Sequence, residues 1–114
     1  MAETIFDKII RREIPADIVY EDEAVLAFRD VSPQAPVHVL VIPKRPIINL
    51  LNTSFDDTLL LGQLMAAAVH VARMLGLSET GFRVVVNSGP DGGQSVDHLH
   101  LHLLGGRALS WPPG

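Results

Sequence analysis

Three of the five histidines stand at alternate positions in Asp97-His98-Leu99-His100-Leu101-His102-Leu103-Leu104. Along an extended strand, alternate side chains share a face. His98, His100 and His102 would then line one side and Leu99, Leu101 and Leu103 the other, with neighbouring imidazoles ~7 Å apart. Three readings follow. Plain alternation on a half-buried strand accounts for polar residues at these positions, but not for all of them being histidine. A metal site would use imidazole as a common ligand. However, the outer pair would be ~13 Å apart, and three ligands on one flat strand do not readily surround a tetrahedral ion. The third reading is catalysis. Crowded imidazoles depress one another's pKa, so most stay neutral at pH 7. A neutral imidazole can attack an electrophile while its neighbour moves protons, and at phosphorus it both attacks and leaves well.

Other chemistry-bearing residues have plainer alternatives. His38 lies inside the apolar run Val37–Ile42 and, taken alone, reads as a core histidine bonded to a carbonyl. The stretch Ser88-Gly89-Pro90-Asp91-Gly92-Gly93-Gln94-Ser95 could be only a long hairpin loop. Beside three histidines, its unshielded N–H groups would suit phosphate oxygens. Lys44 and Arg45 read as a solvated turn. His70 shares a helical stripe with Gln63 and Arg73 and is expected to face solvent without a function. Trp111, the only tryptophan, is expected to pack somewhere rather than stand exposed.

The elements that must position these groups follow from periodicity. Thr4 and Asp7 resemble a weakened capping box before a short helix with Ile5, Phe6, Ile9 and Ile10 on one stripe, stopped before Pro15. Ile18–Tyr20 and Ala24–Arg29 read as strands joined at 21–23, and Val37–Ile42 as a central strand buried on both faces. Residues 54–75 read as the main helix, capped by Ser54, buried through Leu60, Leu64, Ala68, Val71 and Leu75, and stopped at Gly76. Phe82–Asn87 and Val96–Leu104 read as an antiparallel hairpin across 88–95. The sum is one α+β domain over residues 1–114, with an antiparallel sheet and one long helix packed on it.

His98-Leu99-His100-Leu101-His102-Leu103-Leu104 resembles the signature of the histidine triad (HIT) family. Further blocks match in order: Asp30-Val31-Ser32-Pro33-Gln34-Ala35-Pro36-Val37-His38, then Val85-Val86-Asn87 and Asp91-Gly92-Gly93-Gln94-Ser95-Val96. Gly105-Gly106-Arg107 and Trp111-Pro112-Pro113-Gly114 are similar to the tail of the family's Hint branch, the histidine triad nucleotide-binding proteins. The resemblance implies a HIT-like five-stranded antiparallel sheet with one long and one short N-terminal helix, in a two-fold dimer whose sheet continues across the interface. It further implies hydrolysis of the P–N bond of purine nucleoside phosphoramidates, with aminoacyl adenylates as a related substrate and no cofactor or metal. Residue by residue, it makes His100 the nucleophile and His102 the phosphate contact and proton-transfer partner. His98 and His38 are the remaining active-site histidines, and Ser95 is a donor. Asn87, Gly93, Gln94 and Ser95 would surround the phosphates, and Asp30 the ribose hydroxyls. Phe28 and Val31 would lie near the base, with Phe6 and Ile9 as its apolar wall. The C-terminal tail would help complete the partner subunit's site. Two positions depart from the pattern: Pro46, where relatives often have histidine, and Asp97, where they have an aromatic residue. The rival readings are a dinucleoside polyphosphate hydrolase and a nucleotide-binding or scaffold protein with vestigial activity.

Composition narrows the classes. There is no cysteine, which excludes a disulfide scaffold, a thiolate metal site and a cysteine nucleophile. A net charge of −4 without a basic run argues against non-specific nucleic-acid binding. No apolar run reaches the ~20 residues of a membrane span, and no leader pattern opens the chain, so the expected location is the cytoplasm.

Overall fold

In the computed structural model, which describes residues 3–114, the N-terminal capping box is complete. Thr4 Oγ1 accepts from the Asp7 amide, and Asp7 Oδ2 accepts from the Thr4 amide at 2.7 Å. This opens α1 (Ile5–Ile10). Strands β1 (Ile18–Glu21) and β2 (Val25–Arg29) follow as a hairpin. Its turn is held by Asp22 Oδ1, which accepts from the Ala24 and Val25 amides at 2.9 and 2.8 Å. Next come β3 (Val37–Pro43), two 3-10 turns (Leu50–Asn52 and Phe55–Asp57), α2 (Thr58–Met74), β4 (Phe82–Val86) and β5 (Leu101–Gly105). The sheet order is β1-β2-β3-β5-β4 and every neighbouring pair is antiparallel. The five-stranded α+β architecture expected from the sequence is therefore the one observed.

β3 is central and almost wholly buried, because both faces of the sheet are covered. On one face Val25, Ala27, Val39, Val41, Leu101 and Leu103 pack against Leu64, Ala68 and Val71 of α2. On the other, Leu26, Phe28, Leu40 and Ile42 pack against Phe6 and Ile9 of α1. The long helix leaves that second face to the short one. The histidine face is thus roofed in part by α1.

Three local expectations change. Ser54 caps the second 3-10 turn, accepting from the Asp56 amide, and not α2. Asp57 precedes α2 without capping it, since its carboxylate is engaged by the Ser54 amide and by Arg45. The expected strand Val96–Leu104 starts only at Leu101, because the ladders to β3 and β4 both end there, at Val41 and Val86. Residues 98–100 instead run beside the segment after β3, with the Leu99 amide donating to the Ile47 carbonyl at 2.6 Å. Finally, Trp111 is 81% exposed within the single chain, because the tail beyond Ser110 runs over the surface instead of folding into it. Gly76, in contrast, ends α2 as expected. The Gly76 amide donates to Arg73 and the Leu77 amide to Ala72, which brings Leu77 into the core.

Leu77 in turn presses on the end of β5. A Cβ on Gly105 would stand 2.6 Å from Leu77 Cδ1 and 3.2 Å from its Cγ. Leu77 is 3% exposed and has little room to yield. Gly105→Ala is expected to cost ~1–3 kcal/mol of folding stability. A urea midpoint unchanged from wild type would show that the Leu77 contact relaxes freely.

Candidate active site

The register of β3 against β5 brings the histidines together. Leu40 faces His102 and His38 faces Leu104, so His38 and His102 are diagonal neighbours on the α1 face. Their rings are hydrogen-bonded, His38 Nε2 to His102 Nδ1, at 2.9 Å. The direction of this bond is set by a backbone group. The Gln34 amide donates to His38 Nδ1 at 3.0 Å, so the hydrogen of neutral His38 sits on Nε2 and is donated to His102. His102 then carries its own hydrogen on Nε2. Asp30 Oδ2 lies 3.4 Å from His38 Nε2, while Asp30 Oδ1 accepts from the Ser32 amide.

His100 is fixed in the opposite sense. Its Nδ1 lies 2.7 Å from the main-chain oxygen of His98. A carbonyl can only accept, so His100 Nδ1 carries the hydrogen and Nε2 holds a lone pair. No buried side-chain nitrogen or oxygen among the described residues lacks a partner. The unpartnered Nε2 therefore reaches the accessible space of the slot that His100 lines. Tautomers thus differ along the row: a lone pair at His100 and a donor at His102, their ring centroids 5.0 Å apart.

The slot has a volume of roughly 300 Å³ and an apolar wall that includes Phe6, Ile9, Phe28 and Leu40. Its polar end carries Asp30, Ser95, His100 and His102. The Phe6 ring stands edge-on to His100 at 5.1 Å and to Phe28 at 5.5 Å. Val31, 98% exposed, lies at the rim. All of these but Leu40, eight residues, were proposed from sequence. His38 and His98 do not line the slot but lie behind it, both buried.

Asn87, Gly93 and Gln94 do not line the slot. They build the 88–95 loop beside it. Asn87 Nδ2 donates to the Gly92 carbonyl at 2.6 Å. Gln94 Oε1 accepts from the Gly89 amide at 2.9 Å, and its Nε2 donates to the Ile48 and Val96 carbonyls at 2.7 and 3.0 Å. With its amide so occupied, the Gln94 side chain staples the loop. Reading residue types could not reveal this, because the partners are backbone groups distant in sequence. Ile14, Pro15 and Ala16 are also in the wall, brought there by the course of the chain after α1, which residue spacing does not show. Lys44 and Arg45 pair with Glu21 and Asp57 on the surface, and His70 is exposed, its ring 5.2 Å from that of Tyr20.

Burial governs the charge of the row. His102 is pushed down to about 4, first by desolvation, then by His100 and His38, with Asp30 opposing. His100 and His38 are also lowered, in each case mainly by burial. All three stay neutral at pH 7. Asp30, His38 and His102 offer ligand atoms within 4.8 Å of one another, a spacing a cation could use. It would have to displace the hydrogen bond that joins the two imidazoles.

Fold and site together define a class: small α+β proteins in which one antiparallel sheet presents clustered, tautomerically ordered imidazoles to an apolar slot. The chain belongs to the HIT family, whose HIT domain profile matches residues 11–109. It is 56% identical over 113 residues to a maize protein called a 14 kDa zinc-binding protein, spanning 97% of this chain and 88% of that one. Among solved structures, a HIT family hydrolase from Legionella pneumophila superposes with a TM-score of 0.96 at 50% identity, covering 98% of this chain and 100% of that one. A histidine triad nucleotide-binding protein from Candida albicans superposes at 0.82 with 33% identity, covering 96% and 83%.

The lowered histidine pKa values carry a stability consequence. In the unfolded chain these rings take up protons near 6.5, whereas folded His102 does so only near 4. Between those values the unfolded state binds more protons, so stability falls as pH drops from 6.5 towards 4. Urea midpoints measured across that window are expected to decline. His102→Gln is expected to flatten the decline, and an unaltered slope would contradict the burial argument.

Proposed function

We propose that this protein hydrolyses the P–N bond of purine nucleoside 5′-phosphoramidates, and the related bond of aminoacyl adenylates, through a nucleotidyl–His100 intermediate. The observation that carries the reading is the lone pair on His100 Nε2, placed in the slot by the bond from Nδ1 to the His98 carbonyl. The base enters between Phe6, Ile9 and Phe28, where a purine buries more apolar surface than a pyrimidine. Asp30 takes the ribose hydroxyls. Asn87, Gly93, Gln94 and Ser95 act at the phosphate side, Gln94 by shaping the loop. Names of relatives agree with this reading: one is a hydrolase and another a nucleotide-binding protein.

The steps balance without a metal or cofactor. His100 Nε2 attacks the α-phosphorus and the P–N bond breaks. Ser95 or His102 Nε2 passes a proton to the departing amine, and amides near Gly93 offset the charge gathering on the phosphoryl oxygens. Water then attacks the nucleotidyl-histidine, its proton returns to the donor, and the nucleoside monophosphate leaves with His100 restored. His38 holds His102 in the donor tautomer, and His98 holds His100 in the nucleophilic one.

Adenosine 5′-phosphoramidate is expected to turn over, faster than a dinucleoside polyphosphate, and to keep doing so after dialysis against a strong chelator. A substrate chiral at phosphorus should give net retention, since two in-line displacements each invert. His100→Ala should lose ~10³-fold or more in kcat while still binding nucleotide. Net inversion, or activity restored only by zinc, would overturn the covalent-histidine reading.

The same reading makes the protein a two-fold dimer with a continuous sheet and with residues 108–114 reaching the partner's slot. Within the single chain β4 is an edge strand, and Phe82, Met65 and Trp111 are each exposed. Sedimentation equilibrium is expected to return twice the 12.4 kDa chain mass. Removing residues 108–114 should change selectivity among amines more than nucleotide affinity. A monomer whose amine selectivity survives truncation would refute the arrangement.

A further inference from the structure

The pair Gly106-Arg107, which follows β5, lies against the loop that carries Gln34. Val37 faces Gly105 across the β3–β5 ladder, so the chain just beyond β5 runs beside the chain just before β3. Gly106 sits at φ +89°, and a Cβ there would stand 2.8 Å from Pro36 Cβ. This close approach brings Arg107 alongside Gln34. Arg107 Nε and Nη2 both donate to the Gln34 carbonyl, at 3.1 and 2.9 Å, and Nη1 donates to the Ala108 carbonyl at 3.0 Å. At the other end of the same residue, the Gln34 amide donates to His38 Nδ1 at 3.0 Å.

Residues 31–36 belong to no strand or helix. Their other hydrogen bonds are local, from the Ser32 amide to Asp30 and from Gln34 Nε2 to the Ser32 carbonyl. Among the described residues, Arg107 thus supplies the hydrogen-bonded tie between this loop and a distant part of the chain, and its charge strengthens both bonds. What the tie protects is a choice between two arrangements. With its hydrogen on Nε2, His38 donates to His102 Nδ1, and His102 is left with a donor on Nε2. With its hydrogen on Nδ1, His38 would accept from His102 Nδ1, and His102 Nε2 would be a lone pair. The bond between the rings survives in both, so it selects neither. The Gln34 amide selects the first, because it can only donate to His38 Nδ1. Asp30 Oδ2, 3.4 Å from His38 Nε2, favours the same sense, and its carboxylate is tied to the same loop through the Ser32 amide.

We propose that Arg107 is a positioning residue: by pinning Gln34 it holds the His38–His102 pair in the sense that leaves a donor on His102 Nε2. The use of that donor to protonate a departing amine rests on the functional reading above, whereas the tautomers themselves do not.

Arg107→Met removes all three bonds, and Arg107→Lys keeps a cation without the planar fork. Arg83→Met is the control for a loosened tail, since Arg83 donates to the Leu109 and Ser110 carbonyls and not to Gln34. Long-range 1H–15N spectra should show Nε2–H on both His38 and His102 in the wild type and in Arg83→Met. Arg107→Met should show a mixture with the Nδ1–H forms, and Arg107→Lys a smaller admixture. Kinetics compare two adenosine substrates. An N-alkyl 5′-phosphoramidate needs a proton on its departing amine, whereas the 4-nitrophenyl ester of adenosine monophosphate releases a phenolate that needs none. Arg107→Met is expected to lose about ten- to fiftyfold in kcat on the amide and less than about threefold on the ester, with KM altered by less than about twofold. Arg107→Lys should fall between it and the wild type, and carries both measurements if Arg107→Met does not fold. Unaltered spectra, wild-type kcat on the amide, or an equal loss on both substrates would overturn the proposal. If the wild type turns over neither substrate, the functional reading fails, while the spectra still decide whether Arg107 sets the tautomers.

Discussion

The hydrogen bond from His38 Nε2 to His102 Nδ1 is the point from which the site is organised. It exists because β3 and β5 pair with Leu40 opposite His102. A slip of one residue would turn His102 to the α2 face and leave a leucine beside His38. The apolar faces make that slip costly. Val39 and Val41, like Leu101 and Leu103, are buried against α2, and exchanging them with imidazoles would bury polar rings without partners. Hydrophobic packing on one side of the sheet therefore holds the hydrogen-bond chemistry on the other. A backbone amide, that of Gln34, then decides which ring nitrogens donate.

The second constraint is the roof. α1 has six residues, too few to be stable alone, and it stays in place through the burial of Phe6 and Ile9 and through its cap. Burying side chains of this kind contributes ~1.5–3 kcal/mol each. That apolar cover does more than hold the helix. It desolvates the imidazoles, lowering His100 and His102 so that both remain neutral where an exposed histidine would begin to charge. The wall of the slot and the reactivity of its floor share one cause.

The loop between β4 and β5 solves a different problem. It must hold Ser95 beside the slot. Gln94 achieves this by spending its whole amide on four backbone and side-chain partners from residues 48, 49, 89 and 96. Close packing supplies the rest, since a Cβ at Gly92 would meet the Ser88 oxygen at 2.5 Å. Glycine there permits backbone to approach backbone, and the motif reads as flexible while its geometry is crowded.

Much was legible in the chain itself. Period-two alternation marks the leucine and histidine faces, the dense run at 37–42 marks the central strand, and the 3.6-residue stripe with Gly76 marks α2 and its end. These are local patterns, set by which side chains must avoid water. Residue types also singled out His100 and His102, whereas Asp30 and Ser95 entered only through the resemblance to the HIT family. What the sequence could not disclose depends on partners far apart in the chain. The start of β5 at Leu101 is decided by where its neighbours' ladders end. The tautomers of His38, His100 and His102 are decided by the Gln34 amide and the His98 carbonyl. Periodicity determines which face a side chain takes; only the packed sheet determines which backbone dipole or carboxylate it meets there, because those contacts are made by register and not by spacing.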